Sequence, residues 1–265
     1  MGRIKILLNG AGGKMGRSMS AGIMAEKDME IVAAVDLKGV GGDLGLLAGN
    51  EPNGLPISED LSAAILKAKP EVMVDFTSPQ AVLNNLRIAL PFSLPCVVGT
   101  TGLNEQELAE VDALARAHSA AVFFAPNFAL GAVLMMRFAQ EAARYFPHAE
   151  VIERHHDQKL DAPSGTAVTT LELMARERQE IAQGAAQEFE RLAGARGGNY
   201  QGMRVHSVRL PGYVATQEVV FGAEGQLLTI RHDAINRDCY LPGLLLAIRK
   251  INSLSGLVVG LEKLL

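Results

Sequence analysis

The sequence predicts an α/β chain in two parts: a doubly wound domain on a parallel sheet, then an α+β domain whose sheet is mostly antiparallel. Three observations carry this. Short aliphatic runs alternate with helical patterns from residue 4 to about residue 125, the alternation of parallel strands joined by crossover helices. A glycine cluster stands between the first run and the first helical pattern. Beyond residue 203 three β-type runs follow one another with only turn residues between them, which implies antiparallel pairing.

The first strand is Ile4-Lys5-Ile6-Leu7-Leu8-Asn9, and it ends in Gly10-Ala11-Gly12-Gly13-Lys14-Met15-Gly16-Arg17. Met19, Ile23 and Met24 then recur at helical spacing. A second buried-strand pattern, Ile31-Val32-Ala33-Ala34-Val35-Asp36, closes on an acid twenty residues beyond Gly16. Strand, glycine turn, helix, strand and acid make up a Rossmann-type dinucleotide-binding unit: the glycines let backbone approach a pyrophosphate and the helix N-terminus faces its charge. The spelling departs from GxGxxG, because Met15 stands where the last glycine would fall. Gly10, Gly13, Lys14, Met15 and Gly16 are the candidate phosphate contacts. Asp36 can accept from both ribose hydroxyls and favours NADH, whereas Lys38 can meet the 2′-phosphate of NADPH, so both cofactors stay open.

Further strands are expected at Glu71–Phe76, Leu94–Val98 and Ala121–Ala125. Thr77-Ser78-Pro79 reads as the start of a helix reaching Leu90, and Asn104 with Glu107 as a capping box opening a helix to His118. Ligands of such sheets bind at the carboxyl ends of the strands. Phe76, then Gly99, Thr100 and Thr101, then Ala125, Pro126, Asn127 and Phe128 are therefore candidate cofactor contacts, through backbone more than side chain. The glycine-dense stretch 39–45 reads as a mobile loop near the adenosine end.

In the second half, a helix over Leu130–Tyr145 leads into a strand over Ala149–Glu153 that delivers His155 and His156. Within a strand these two point to opposite faces, so at most one faces a given cleft. Most single histidines are structural, but this pair is followed by Lys159 and by Pro163-Ser164-Gly165-Thr166, which reads as a helix start with Pro163 in its first turn. Ser164, Gly165 and Thr166 would then offer N–H groups and hydroxyls at the positive end of a helix, a place for a carboxylate. From about Gln183 to Gly202 the composition turns to Ala, Gly, Gln and Glu, and Gly194-Ala195-Arg196-Gly197-Gly198 reads as a flexible loop. The runs Arg204–Leu210, Tyr213–Phe221 and Gln226–His232 complete a sheet with the strand at 149–155, of a kind that often pairs with its own copy. Arg237 lies at the junction before a helix over Tyr240–Ile251 and a tail expected to pack back on the first domain; it can hold a second carboxylate or tie the domains together. The division is 1–127, completed by 236–265, for a dinucleotide-binding domain, and 128–235 for a substrate-binding and oligomerisation domain.

The 265 residues are 48% hydrophobic and 20% charged, which excludes disordered and fibrous classes. A net charge of -4 gives no basic footprint for nucleic acid or an anionic membrane surface. No apolar run approaches the ~18–20 residues of a membrane span, and the N-terminus runs straight into a strand, so a cytoplasmic location is expected. Cys96 and Cys239 lack metal-ligand spacing; no metal and no disulfide is expected.

Taken together, Gly10 to Arg17, Asp75-Phe76-Thr77, Gly99-Thr100-Thr101-Gly102, Ala125-Pro126-Asn127-Phe128 and above all His155-His156 through Lys159 to Asp161-Ala162-Pro163-Ser164-Gly165-Thr166 resemble 4-hydroxy-tetrahydrodipicolinate (dihydrodipicolinate) reductases of lysine biosynthesis, over the whole chain. The resemblance implies that hydride from NADH or NADPH adds to a conjugated C=C–C=N unit of a cyclic dicarboxylate, and that the adjacent carbon is then protonated. It makes His155 the general acid or the residue that steadies it. Lys159 stabilises the developing negative charge or donates the proton, and His156, Ser164, Gly165, Thr166 and Arg237 bind the carboxylates. It also implies a homotetramer. Asp36 stands where many members have glutamate, and Lys38 where an arginine is frequent. Two other readings share the cofactor half: an amino-acid dehydrogenase of similar plan, such as an aspartate dehydrogenase, and a nucleotide sensor without turnover, which would need no acid or carboxylate clamp.

Overall fold

The computed structural model describes residues 2–265, and the chain divides into two compact units, one made of the chain up to Ala129 together with Arg237–Leu265, the other Leu130–Asn236. The first unit begins with β1 (Ile4–Asn9), α1 (Lys14–Ala25), β2 (Met29–Val35), α2 (Leu44–Leu47), β3 (Ile57–Ser58), α3 (Leu61–Ala68), β4 (Val72–Asp75), α4 (Val82–Ala89), β5 (Cys96–Val98), α5 (Glu105–Ala117) and β6 (Ala121–Phe124). The second unit is α6 (Leu130–Ala142), β7 (His148–His155), α7 (Gly165–Ala175), β8 (Gly198–Tyr200), β9 (Met203–Arg209), β10 (Ala215–Ala223) and β11 (Gln226–Ala234). The chain then returns to the first unit with α8 (Leu241–Lys250) and β12 (Gly256–Val259).

The first unit holds a seven-stranded sheet in the order β12-β6-β5-β4-β1-β2-β3, with every pairing parallel. Helices cover both faces of such a sheet, which is why its strands read as unbroken apolar runs. β4 and β6 are buried at every position. One side of the sheet packs Leu7, Met73 and Val98 against Leu86 of α4 and Ala115 of α5. The capping box at Asn104 and Glu107 forms as expected. α4, however, starts at Val82 and not at Thr77, because Ser78 first accepts from the backbone N–H groups of Ala81 and Val82 in a turn around Pro79.

The tail packs back as the seventh strand, β12, placing Leu257 beside Val122 and Val258 beside Phe123. β3 is two residues long, too short for any periodicity to show, and α3 after it is capped by Asp60, which accepts from the N–H of Ala63 at 2.9 Å. In the glycine-dense stretch, the Asp43 carboxylate accepts from the N–H groups of Leu46, Asn53 and Gly54 and so ties the loop together. No helix among the described residues is long and apolar enough to cross a membrane.

The second unit has a five-stranded sheet in the order β11-β10-β7-β9-β8. All neighbours are antiparallel except β7 and β9, which run parallel. One face buries Val151, Met203, Val219 and Phe221 against Ala139 and Ala142 of α6 and Leu171 and Met174 of α7. Along β7 the buried positions alternate, Ala149, Val151 and then Glu153, so an acid follows two apolar residues onto the core face. Truncating the largest side chain of this core, Phe221→Ala, should cost about 3–5 kcal/mol. Urea unfolding followed by circular dichroism measures it, as a lower midpoint with an unchanged slope.

Candidate active site

Each unit gathers part of the predicted site. In the first, the turn after β1 lies against a cleft of about 1130 Å³ lined by Gly10, Gly13, Asp36, Lys38, Phe76 and Thr77, among others. Gly10 has φ +85°, and a Cβ there would collide with the Phe76 carbonyl oxygen; a Cβ on Gly16 would collide with the Gly10 carbonyl oxygen. Only glycine allows this close passage of the turn and the start of α1, where Gly13 is the N-cap and offers no side chain. Lys14 and Met15 form the first turn of α1, with Lys14 exposed. Asp36, just beyond β2, accepts from Gly12 N–H and Lys38 N–H, both at 2.8 Å, which fixes its carboxylate at the rim of the cleft.

The floor of this region is organised by Asp75, a fully buried carboxylate at the end of β4. It accepts from the Asn9 and Asn85 amides at 2.9 Å, from Thr77 N–H at 3.1 Å and Oγ1 at 2.8 Å, and from Thr100 Oγ1 at 2.7 Å. Thr100 therefore spends its hydroxyl on the turn, and Thr101 beside it is exposed. A Cβ on Gly99 would strike the Phe76 ring; Phe76 and Phe128 meet edge to face with centroids 6.1 Å apart. Ala125 and Phe128 are buried, Pro126 is exposed, and Asn127 Oδ1 accepts from Ala129 N–H at 2.9 Å. Asp75, Asn9 and Asn85 received no role from the sequence. Their signal was faint: a charged residue in the last position of an otherwise apolar strand.

In the second unit β7 runs through His155, and His156 falls after the strand, exposed. Strand parity sets Glu153 and His155 on one face. The parallel register of β9 places Ser207 opposite Glu153 and Arg209 opposite His155. Glu153 has no solvent exposure, and its Oε2 lies 2.5 Å from His155 Nδ1. Arg209 grips it through Nη1 to Oε2 and Nη2 to Oε1, both at 2.8 Å, and Ser164 N–H donates to Oε1 at 3.2 Å. Burial by itself raises such a carboxyl, but hydrogen bonds from His155, Arg209 and Ser207 outweigh it and hold Glu153 down at about 2. Arg209 Nη2 also donates to the Asp161 carbonyl oxygen at 2.7 Å, closing the loop that carries Lys159. Lys159 Nζ donates to Asp161 Oδ1 at 2.7 Å.

α7 begins at Gly165 with Ser164 as its N-cap, the Oγ accepting from Ala167 N–H at 3.2 Å. Pro163 thus precedes the cap and does not occupy the first turn, and its bond to Ala162 is cis. Gly165 is exposed and Thr166 half-buried at the positive end of the helix, with N–H groups that have no acceptor within the helix. Arg237 opens a 3-10 turn, Arg237–Tyr240, in the first unit and is exposed. Glu153 and Arg209 are the residues the sequence reading passed over. Arg209 has no local signal, since its partner is 56 positions away.

A parallel sheet with a glycine turn on a cleft, together with a unit bearing a histidine, a lysine and a capped helix start, defines a dinucleotide-dependent oxidoreductase. Two family models, described as the N-terminus and the C-terminus of dihydrodipicolinate reductase, match residues 4–128 and 131–265. The chain is 51% identical over 266 residues to a 4-hydroxy-tetrahydrodipicolinate reductase of Desulfitobacterium hafniense, covering 100% of both chains. To that of Moorella thermoacetica it is 54% identical over 263 residues, covering 99% of this chain and 98% of the other. Among solved structures, a dipicolinate-bound dihydrodipicolinate reductase from Paenisporosarcina sp. TG-14 superposes with a TM-score of 0.89 at 43% identity, over 99% of this chain and 100% of that one. The chain belongs to the dihydrodipicolinate reductase family.

The depressed Glu153 carboxyl has a consequence for acid stability. Its folded value lies below its unfolded one, so on acidification the unfolded chain binds the proton first. Its stabilising contribution is whole above about pH 4.5 and is lost as pH falls toward about 2. Between pH 5 and pH 2.5, the urea midpoint of Glu153→Gln should therefore fall less steeply than that of the unmodified protein.

Proposed function

We propose that this chain is a 4-hydroxy-tetrahydrodipicolinate reductase of lysine and diaminopimelate biosynthesis, acting with NADH or NADPH on a cyclic dicarboxylate. The observation that carries the proposal is the second-unit cluster, where a histidine held by a buried acid, a lysine and the start of α7 lie on neighbouring segments. A sensor without turnover has no use for such a cluster, and at about 50% identity over the full chain the named relatives are reductases.

The glycine turn suits a pyrophosphate, because Gly10 and Gly16 let the turn pack backbone against backbone where any Cβ would collide, and so bring it tightly onto the start of α1, whose N–H groups favour an anion. The Asp36 oxygens keep lone pairs for ribose hydroxyls beside their two backbone bonds, and Lys38 stands next to them for a 2′-phosphate. Gly13, Lys14, Met15 and Phe76 would line the same cofactor path, with Gly99 to Thr101 and Ala125 to Phe128 shaping it through backbone. A reduced nicotinamide, when bound, supplies the hydride.

In the second unit the Gly165 and Thr166 N–H groups, with the Thr166 hydroxyl, hold one substrate carboxylate at the helix start, while Ser164 secures that start as its cap. His156, exposed beyond β7, binds the remaining carboxylate charge, a part that the resemblance also gives to Arg237. Lys159 meets the electron density that hydride addition creates, and His155 holds at Nε2 the proton that the adjacent carbon takes up. Nε2 is given this part because Nδ1 is already committed to Glu153.

We place the enzyme in the cytoplasm, where the free thiols of Cys96 and Cys239 would stay reduced. We further propose a homotetramer built through the second-unit sheet, whose edge strand β11 exposes Leu227.

The test supplies substrate by condensing pyruvate with aspartate semialdehyde on the upstream synthase, and follows NADH and NADPH oxidation separately. Oxidation of at least one cofactor is expected, with absolute dependence on both precursors; none with either would overturn the assignment. His155→Ala and Lys159→Ala should each lower kcat by ~10²-fold or more and leave NADH affinity nearly unchanged.

A further inference from the structure

Glu153 lies too deep to touch a substrate, yet the outer groups of the second-unit site are fixed through it. Strand geometry alone leaves the His155 ring free to rotate about its side-chain bonds. The Oε2 contact removes that freedom, and the same carboxylate takes both Nη atoms of Arg209 and the N–H of Ser164. Arg209 is held at its other side by the Asp161 carbonyl oxygen. One acid and one guanidinium thus fix the histidine, the lysine-bearing loop and the first residue of the helix cap relative to one another.

We infer that Glu153, clamped by Arg209, is a positioning residue that fixes His155 as the Nδ1–H tautomer and presents Nε2 to the reacting side. This rests on the proton-donor role proposed above for His155. An ionised carboxylate only accepts, so whatever its protonation state the ring must donate from Nδ1. The proton that comes and goes is therefore the one on Nε2.

The other charges around His155 are few. Lys159 and its partner Asp161 lie in the following loop, with His156 and Asp157 exposed beside them. β10 sets uncharged Ala215 opposite the ring, and Ser164 arrives from α7. On the same face beyond Gln217, His232 of β11 is pulled down by burial, toward the neutral form. With this surround, the two supports have opposite effects. Removing Arg209 leaves an unopposed negative carboxylate beside the ring, and neutralising Glu153 leaves an unopposed positive guanidinium.

Two measurements test this. In the intact, uniformly ¹⁵N-labelled protein, long-range ¹H–¹⁵N spectra should show the neutral His155 ring protonated at Nδ1 and bare at Nε2, with the resonance assigned by its loss in His155→Gln. The opposite tautomer overturns the inference, and this readout needs neither turnover nor a destabilised variant. Second, the pH profile of kcat/KM should move up by about one unit in Arg209→Met and down by about one unit in Glu153→Gln. Shifts of the same sign, or a fall in kcat with an unmoved profile, would reduce the pair to scaffolding. Failure of the proton-donor role is seen separately: His155→Ala would then turn over normally while the tautomer stood.

Discussion

A single ionised carboxylate without solvent exposure, that of Glu153, is the constraint on which the second unit depends. An unpaired charge in that position would cost several kcal/mol, so the strands and loop around it are committed to supplying donors. Ser207 and Arg209 come from β9, the ring of His155 from its own strand, and an N–H from Ser164 ahead of α7. The parallel pairing of β7 with β9, the one such pairing in this sheet, is what brings Arg209 level with His155. Had the two strands run antiparallel, the same sequence would meet in a different register.

The first unit solves a similar problem in a similar way. Asp75 is buried at the carboxyl end of β4 and draws Asn9 from β1, Asn85 from α4, Thr77 from its own turn and Thr100 from the turn after β5. The two turns that border the cleft, after β1 and after β4, and the turn after β5 are thereby locked to one group. In both units the candidate site residues lie on short polar segments with little apolar area of their own to hold them. A buried acid fixes them with directional bonds, which apolar packing cannot do. Loss of either acid would strand several donors at once, which makes both positions intolerant of substitution.

Much of this was legible in the sequence because it is local. The glycine turn, the acid after β2, the capping box at Asn104 and the histidine–lysine–Ser-Gly-Thr run are all written in contiguous residues. The alternation of strands with helices and the two-sheet plan followed from period and turn spacing. What escaped was either too short or too distant. β3 has two residues, α4 yields its first turn to Pro79, and Pro163 lies ahead of the cap, outside the helix. Arg209 meets Glu153 across 56 positions, a distance over which no spacing rule operates. Glu153 itself did leave a trace, since it continues the inward parity of Ala149 and Val151, where an acid is unexpected.

The central claim is that Glu153 is ionised in the folded protein and stays so far below the ordinary glutamate range. The direct measurement is its side-chain carboxyl ¹³C shift, followed from pH 6 downward in the folded protein and assigned by its absence in Glu153→Gln. It should stay at the ionised value until pH approaches about 2. Protonation near pH 4.5, with the other glutamates, would contradict the account, because a neutral Glu153 could neither hold Arg209 nor dictate which nitrogen of His155 carries the proton.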